Sequence, residues 1–183
     1  MAIAWRWIVT GVLKSFKGRK MEIEKKFKVK QLPDNLDGYE QKHIEQGYLC
    51  VNPVVRIRKS NDRYILTYKS LAAGSDDKNT DVRINNEIEV FLTKEGYEHL
   101  KGKVDDNLII KTRYIIPLED GHTGELDVFG GVLEGLYFIE VEFESEDDAK
   151  NFLPPDWFGE NVSDDKRYAN SYLSKCNDLS VFL

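Results

Sequence analysis

The most informative segment of this sequence is Met21-Glu22-Ile23-Glu24-Lys25-Lys26-Phe27-Lys28-Val29. Side chains alternate between the two faces of a β-strand, so one face of this segment is charged and the other is apolar. The charged face carries Glu22, Glu24, Lys26 and Lys28, and the apolar face carries Ile23, Phe27 and Val29. A single strand of this kind usually turns its charges to water. The same arrangement recurs in the following strands, however, and this recurrence predicts a charged interior that holds a charged ligand.

The size and composition of the chain indicate one soluble globular domain. The chain has 183 residues, of which 41% are hydrophobic and 32% charged, with a net charge of -6. This composition excludes a disordered chain, and the net negative charge argues against binding to duplex nucleic acid. Cys50 and Cys176 are too few and too far apart for a disulfide framework or a zinc cluster. We therefore expect reduced thiols in a cytoplasmic protein.

Residues 1–20 differ from the rest because they contain no acidic residue. Arg6 interrupts their apolar run, which is too short to span a bilayer, and no secretory cleavage site follows. We expect residues 1–20 to be an extra segment and residues 21–183 to form the domain, with Met21 as the true start. The codons of Lys17-Gly18-Arg19 can form a purine run that resembles a bacterial ribosome-binding site. A basic amphipathic membrane anchor remains the alternative, and the intact mass of the native protein decides between them.

Strands joined by short turns dominate the predicted secondary structure. Seven strands are predicted, at 22–30, Val55–Lys59, Tyr64–Lys69, 83–90, Leu108–Pro117, Gly124–Phe129 and Tyr137–Phe143. Helices are predicted at 34–46 (ending at Gly47), at 94–102 (capped by Thr93), after Ser145, and from Ser163 to about Lys175. Such a pattern favours an α+β fold with an antiparallel sheet and covering helices. Closing the sheet into a barrel would remove its exposed edges.

The charged face combines acids and bases in a way that suits a metal-bound polyphosphate. Its members are Glu22, Glu24, Lys26, Lys28, Arg56, Arg58, Thr67, Lys69, Arg83, Glu87, Glu89, Lys111, Arg113, Glu125, Asp127, Glu140, Glu142 and Glu144. Neighbours on one face of a strand lie roughly 6.5–7 Å apart, so paired carboxylates can hold a hard divalent cation. Arginine binds phosphate through two hydrogen bonds, and lysine supplies a compact charge. The alternative for each strand alone is an ordinary half-solvated sheet.

The ordered series of motifs resembles the CYTH superfamily, also called triphosphate tunnel metalloenzymes. Glu22-Ile23-Glu24-Lys25-Lys26-Phe27 matches its ExExK signature. The resemblance extends over residues 21–176 through Arg56-Ile57-Arg58, Leu66-Thr67-Tyr68-Lys69, Lys111-Thr112-Arg113-Tyr114, Glu125-Leu126-Asp127-Val128-Phe129, Ile139-Glu140-Val141-Glu142-Phe143 and the tail 162–170. One position departs from the pattern: where the family usually has an arginine in its fourth strand, this chain has Asn85, and Arg83 lies two residues earlier on the same face.

The resemblance implies an eight-stranded antiparallel barrel that encloses a tunnel. It implies Mg²⁺ or Mn²⁺ bound by Glu22, Glu24, Glu140 and Glu142. It also implies a triphosphate held by Lys26, Arg56, Arg58, Lys69, Lys111 and Arg113, with Arg83 as a substitute contact and Arg167 near one mouth. Glu24, Lys26 and Asp127 are the implied catalytic residues, and Asp127 would orient a basic side chain or hold a second metal through water.

The first functional hypothesis is a metal-dependent phosphohydrolase that cleaves inorganic tripolyphosphate, because the compact chain has no obvious segment that would read a base. Two alternatives stay open. One is nucleotide chemistry, as a class IV-type adenylate cyclase or a nucleoside or thiamine triphosphatase; the other is a non-catalytic polyphosphate-binding module. We expect a small anionic triphosphate as partner, with no nucleic acid and no membrane. The physiological substrate, the preferred metal and the choice between monomer and homodimer stay open.

Overall fold

The structure, a computed structural model, describes residues 23–71 and 85–182. Its strands are β1 (Ile23–Val29), β2 (Glu40–Val51), β3 (Val54–Ser60), β4 (Arg63–Leu71), β5 (Asn85–Phe91), β6 (Ile109–Pro117), β7 (Thr123–Gly130), β8 (Tyr137–Phe143) and β9 (Phe158–Asn161). Its α-helices are α1 (Lys94–Lys101), α2 (Glu146–Asn151) and α3 (Asn170–Leu173), and short 3-10 turns lie at Leu36–Gly38, Gly131–Leu133, Lys166–Tyr168 and Ser180–Phe182. The extra segment 1–20 and the predicted site residues Glu22 and Arg83 lie outside the described residues.

The nine described strands form one antiparallel sheet in the order β5-β4-β3-β2-β6-β7-β8-β1-β9. The mainly antiparallel sheet with few helices is as predicted, but the expected closed barrel of eight strands is wrong on two counts, since the sheet is open and has a ninth strand. The reason is β9, which pairs with the edge of β1 away from β8, matching Phe27 with Asn161 and Val29 with Phe158. Barrel closure at β1 would need the hydrogen bonds of this edge, which β9 occupies.

The predicted helix at 34–46 is wrong, because most of this segment belongs to β2 at the centre of the sheet. β2 pairs with β3 along one edge and with β6 along the other. Gly47, predicted as a helix stop, is a strand residue with close neighbours. A Cβ atom there would lie 2.6 Å from Val104 Cγ2 and 2.9 Å from Leu108 Cδ2. The absence of a side chain at Gly47 therefore lets the segment after α1 pack directly on β2.

Two of the predicted helix caps are confirmed, and one is wrong. Thr93 Oγ1 accepts from Gly96 N at 3.1 Å to begin α1, and Ser145 Oγ accepts from Asp148 N at 3.1 Å to begin α2. Ser163 was expected to begin a long last helix. Instead its hydroxyl accepts a hydrogen bond from Lys26 N at 2.9 Å, and the tail folds as a 3-10 turn and the short α3.

Two apolar clusters hold the sheet. The first lies on the face away from the charges and includes Phe27, Ile139, Val141, Phe152 and Phe158. The second covers one end of the charged face and is formed by Tyr48, Ile109, Phe129, Leu133, Leu136, Phe138, Val162, Tyr168, Leu173 and Cys176. Both faces of the sheet are thus buried over much of its area. Within the part of the chain that the structure describes, no helix has both the length and the apolarity to cross a bilayer.

Candidate functional site

The central part of the charged face of β6, β7, β8 and β1 is buried, whereas Glu24, Lys28 and Glu142 on the same face are exposed. Lys26 is 9% exposed, Lys111 3%, Asp127 0% and Glu140 7%. Val141, on the opposite face, is fully buried in the first apolar cluster. Ionised groups are rarely buried unless they are paired, so the four charges require partners inside the protein.

Arg113 is the centre of this buried charge network. Its guanidinium donates to Asp127 from Nε and Nη2, at 2.6 Å each, to Glu140 Oε2 at 2.6 Å, and also to Glu125 Oε2. Burial acts to lower the pKa of Arg113, but Asp127 and Glu140 outweigh it and raise the pKa. The three carboxylates therefore keep Arg113 charged and largely neutralise it.

Two lysines complete the network. Lys111 Nζ donates to Asp127 Oδ2 at 2.5 Å, and Lys26 Nζ lies 2.8 Å from Glu140 Oε1 and donates to the Tyr168 carbonyl at 3.1 Å. Burial lowers the pKa of Lys111 to about 8, while Asp127 acts to raise it. Burial would raise the pKa of Glu140, but Arg113 and Lys26 hold it well below its usual range. Acids and bases are thus matched on this side of the sheet.

The side of the sheet formed by β3 and β4 differs, because its arginines contact mainly neutral groups. Arg58 Nε donates to Gln46 Oε1 at 3.1 Å, and Arg56 Nη2 donates to the Thr67 hydroxyl at 3.4 Å. Arg56 Nε is buried without a hydrogen-bond partner. Burial, followed by repulsion from Arg56 and Arg113, lowers the pKa of Arg58 to about 10. An anion bound beside these arginines would relieve both the repulsion and the unsatisfied donor.

The predicted metal ligands include two carboxylates that face each other across neighbouring strands. Glu24 on β1 is the direct register partner of Glu142 on β8, and both are exposed. Like charges directly opposite each other destabilise a sheet, and a cation between them removes the repulsion. Their hard oxygen atoms suit Mg²⁺ or Mn²⁺ with retained waters. Within residues 23–71 and 85–182, no three acidic, histidine or cysteine residues already form a cation cluster.

An acidic cavity adjoins this carboxylate pair. It has a volume of about 390 Å³ and is lined by Asp120, Gly121, His122, Thr123, Glu125, Glu142, Glu144 and Asp148. Burial raises the pKa of Glu125, although Arg113 acts in the opposite direction. The arrangement places the acids at one end of the charged face, while the second apolar cluster covers the other end.

The remaining predicted residues are placed less centrally. Lys69 lies on the charged face of β4, opposite Glu87 in register. Arg167 is not brought to the network: its guanidinium donates to Asp165 and to the Val181 carbonyl. It is half-exposed on the tail.

Sequence reasoning missed Gln46, because residues 34–46 were predicted to be a helix, and it assigned no role to Tyr48. A signal was available, since the Asn52-Pro53 turn precedes β3 and calls for an antiparallel partner just before it.

The chain is similar to known proteins over most of its length. A family model described as the CYTH domain matches residues 20–169. The chain belongs to the CYTH family. Among curated members it is similar to the inorganic triphosphatase of Nitrosomonas europaea, with 40% identity over 159 residues, covering 84% of this chain and 96% of that protein.

Further CYTH relatives agree with this match. The inorganic triphosphatase of Acetivibrio thermocellus is 36% identical over 160 residues, covering 84% of this chain and 93% of that protein. The crystal structure of the inorganic triphosphatase NE1496 superposes with a TM-score of 0.65 and 36% identity, covering 86% of this chain and 96% of that one. The similarity therefore spans the whole sheet and not the signature segment alone.

Proposed function

We propose that this CYTH protein is a metal-dependent triphosphatase that hydrolyses inorganic tripolyphosphate to pyrophosphate and phosphate. The observation that carries the proposal is the excess of positive charge on β3 and β4, where Arg56 and Arg58 are held by neutral groups and Arg56 Nε is buried without a partner. A small polyanion supplies what these donors lack. The two curated relatives, both named inorganic triphosphatases, support this choice among triphosphates.

In this proposal the basic residues of the charged face bind the substrate, and the acidic residues bind the cation. Lys26, Arg56, Arg58, Lys69, Lys111 and Arg113 hold the triphosphate, with Arg83 as a further contact. Glu22, Glu24, Glu140 and Glu142 hold Mg²⁺ or Mn²⁺. Glu140 already accepts from Lys26 and Arg113, but a carboxylate has about four lone-pair sites and can also face a cation. Asp127 orients Lys111 and Arg113.

The chemistry requires a water to attack the terminal phosphorus in line with the bond to the leaving pyrophosphate. A divalent cation held by the four glutamates would supply charge neutralisation for the substrate and would make a bound water a better nucleophile. Glu24 polarises this water, and Lys26, with Arg113 behind it, offsets the charge that spreads over the transferring phosphoryl group. Burial of the basic residues strengthens these interactions, because little water screens them.

The test is a substrate panel with the purified protein. Tripolyphosphate, ATP and thiamine triphosphate are each incubated with Mg²⁺ or Mn²⁺, and phosphate, pyrophosphate and cyclic AMP are quantified. We expect the highest kcat/KM with tripolyphosphate, equal amounts of phosphate and pyrophosphate, and loss of activity with EDTA. Cyclic AMP as the main product from ATP would instead establish a cyclase. Faster hydrolysis of ATP or thiamine triphosphate would identify the protein as a nucleoside or thiamine triphosphatase. Tight binding without turnover would indicate a binding module.

A further inference from the structure

Gln46 is a buried polar residue that none of the roles above uses. It lies on β2 between β3 and β6, opposite Arg58 on one side and Ile109 on the other, and it is 0% exposed. Its amide is satisfied on both sides: Oε1 accepts from Arg58 Nε at 3.1 Å, and Nε2 donates to the Tyr48 hydroxyl at 3.1 Å. Because arginine has only donors, the amide oxygen must face Arg58, which fixes the orientation of Gln46.

The amide binds Arg58 without neutralising it. Arg113, by contrast, is held by Glu125, Asp127 and Glu140, which satisfy its charge inside the protein. Gln46 takes up the Nε donor of Arg58 and fixes the plane of the guanidinium, while the positive charge is left for another partner. A fixed guanidinium loses less conformational entropy when it binds a phosphate through its remaining donors.

We propose that Gln46 is a positioning residue for the triphosphate: its neutral amide aligns Arg58 and preserves the charge with which Arg58 binds a substrate phosphate. The inference rests on the proposed function, and it names the residue that prepares one substrate contact. A carboxylate at this position would align Arg58 equally well but would compete with the phosphate for its charge. A residue without an acceptor would leave the charge intact but release the guanidinium.

The test separates charge from alignment with two near-isosteric variants. Gln46→Glu adds a charge, Gln46→Met removes the acceptor, and Gln31→Glu makes the same charge change at an exposed site after β1. Affinity for tripolyphosphate is measured by calorimetry in EDTA, and kcat and KM are measured with Mg²⁺. We expect Gln46→Glu to weaken binding by about ten- to a hundredfold, the effect of losing one charge-assisted hydrogen bond. Gln46→Met should weaken it less, Gln31→Glu should not, and KM should change more than kcat.

A purely structural role predicts the opposite order, because methionine removes the acceptor of Arg58 Nε and the contact with the Tyr48 hydroxyl, whereas a glutamate carboxylate accepts from Arg58 Nε and can accept from the Tyr48 hydroxyl once that hydroxyl turns to donate. Weaker binding by Gln46→Met than by Gln46→Glu would therefore overturn the inference, as would unchanged binding by Gln46→Glu. The proposed function is tested separately by hydrolysis. If the wild-type protein binds tripolyphosphate without hydrolysing it, the proposed function is wrong, and the order of the affinities of the variants still tests the role of Gln46. Failure of the wild-type protein to bind overturns both.

Discussion

Arg113 donates two hydrogen bonds to Asp127, from Nε to Oδ1 and from Nη2 to Oδ2, at 2.6 Å each. The two residues are direct register partners on β6 and β7, so the sheet itself sets this bidentate contact. Lys111 Nζ shares Oδ2 at 2.5 Å. Asp127 is fully buried, and both of its oxygen atoms therefore accept hydrogen bonds from basic side chains.

Replacing Asp127 should lower the stability of the protein. In Asp127→Asn, Lys111 and Arg113 lose their shared counter-charge inside the sheet, and we expect the free energy of unfolding to fall by about 3–5 kcal/mol. Urea denaturation measures the change. The matched control is Glu160→Gln, which breaks the solvent-exposed pair with Lys28 and should have a much smaller effect. Equal stability of Asp127→Asn and the wild-type protein would show that Asp127 does not neutralise the buried bases.

Replacing Glu24 should abolish turnover by weakening the cation site. We expect Glu24→Gln to reduce kcat at least about 100-fold, with a higher concentration of Mg²⁺ or Mn²⁺ needed for half-maximal activity. Activity is measured as phosphate release over a metal titration. Glu146→Gln, on the exposed surface of α2, makes the same charge change away from the site and should behave like the wild-type protein. Full activity of Glu24→Gln would refute the metal assignment.

Two of the five predicted substrate arginines, Arg58 and Arg167, should behave differently. Arg58→Ala removes a partly buried cation that faces a neutral amide, and we expect KM for tripolyphosphate to rise about ten- to a hundredfold with a smaller change in kcat. Arg167 is held by Asp165 and the Val181 carbonyl, so Arg167→Ala should leave KM unchanged. Steady-state kinetics of both variants decide the matter, and a raised KM for Arg167→Ala would place that residue at the substrate.

The ion pairs of His122 with Asp120 and Asp148 should stabilise the fold only while His122 is protonated. Its ring packs against Phe143 and Phe152 at centroid distances of 5.2 and 5.3 Å, with Asp120 3.0 Å from Nδ1 and Asp148 3.2 Å from Nε2. Burial acts to lower the pKa of His122, but Asp148 and Asp120 outweigh it and raise the pKa above 6.5. A raised folded-state pKa gives stability that is fully present below the unfolded pKa and is lost as the pH rises through the folded one.

A double-mutant cycle of His122→Gln and Asp120→Asn tests this pH dependence. Urea denaturation of the four proteins should show a favourable coupling free energy at about pH 6 and none at about pH 9, because only the protonated imidazole attracts the carboxylate. The cycle is its own control, since effects of each substitution alone cancel. A coupling that is the same at both pH values would mean that the contact does not depend on the imidazolium.

The alternation of charged and apolar residues was a reliable guide wherever one face of a strand was apolar. It predicted β1 and β3–β8, and it predicted the side of the sheet on which the charges of β1 and β6–β8 lie. It failed for β2, where polar residues occupy both faces: Gln46 points to the charged side, and Glu45 on the other accepts hydrogen bonds from Tyr97 and Lys101. The partners of Gln46 and Glu45 in other elements lie on β3 and α1, so residues 40–46 themselves show no apolar face and resemble a polar helix.

The tail was mispredicted for a related reason. Ser163 followed by a polar run is typical of a helix cap, yet its hydroxyl binds Lys26 N, 137 residues away in the chain. Likewise, the residues that follow Pro154-Pro155 show no alternation that would predict a strand. β9 forms there because Phe158 packs against Phe27 and Phe152 beside the edge of β1 that β8 does not occupy. A long-range contact of this kind leaves no periodicity in the segment that makes it.

Alternation and residue type are local properties, so the sequence alone predicts that one sheet face is charged, which residues share that face, and that these residues form a CYTH signature series. Which acid neutralises which base is a property of the folded protein. The crossover that pairs β6 with β2 sets the neighbours of each charge, so that Arg113 meets three carboxylates while Arg58 meets the amide of Gln46. The strand period specifies a face but not the adjacent strand, and the adjacent strand determines which charges remain for a ligand.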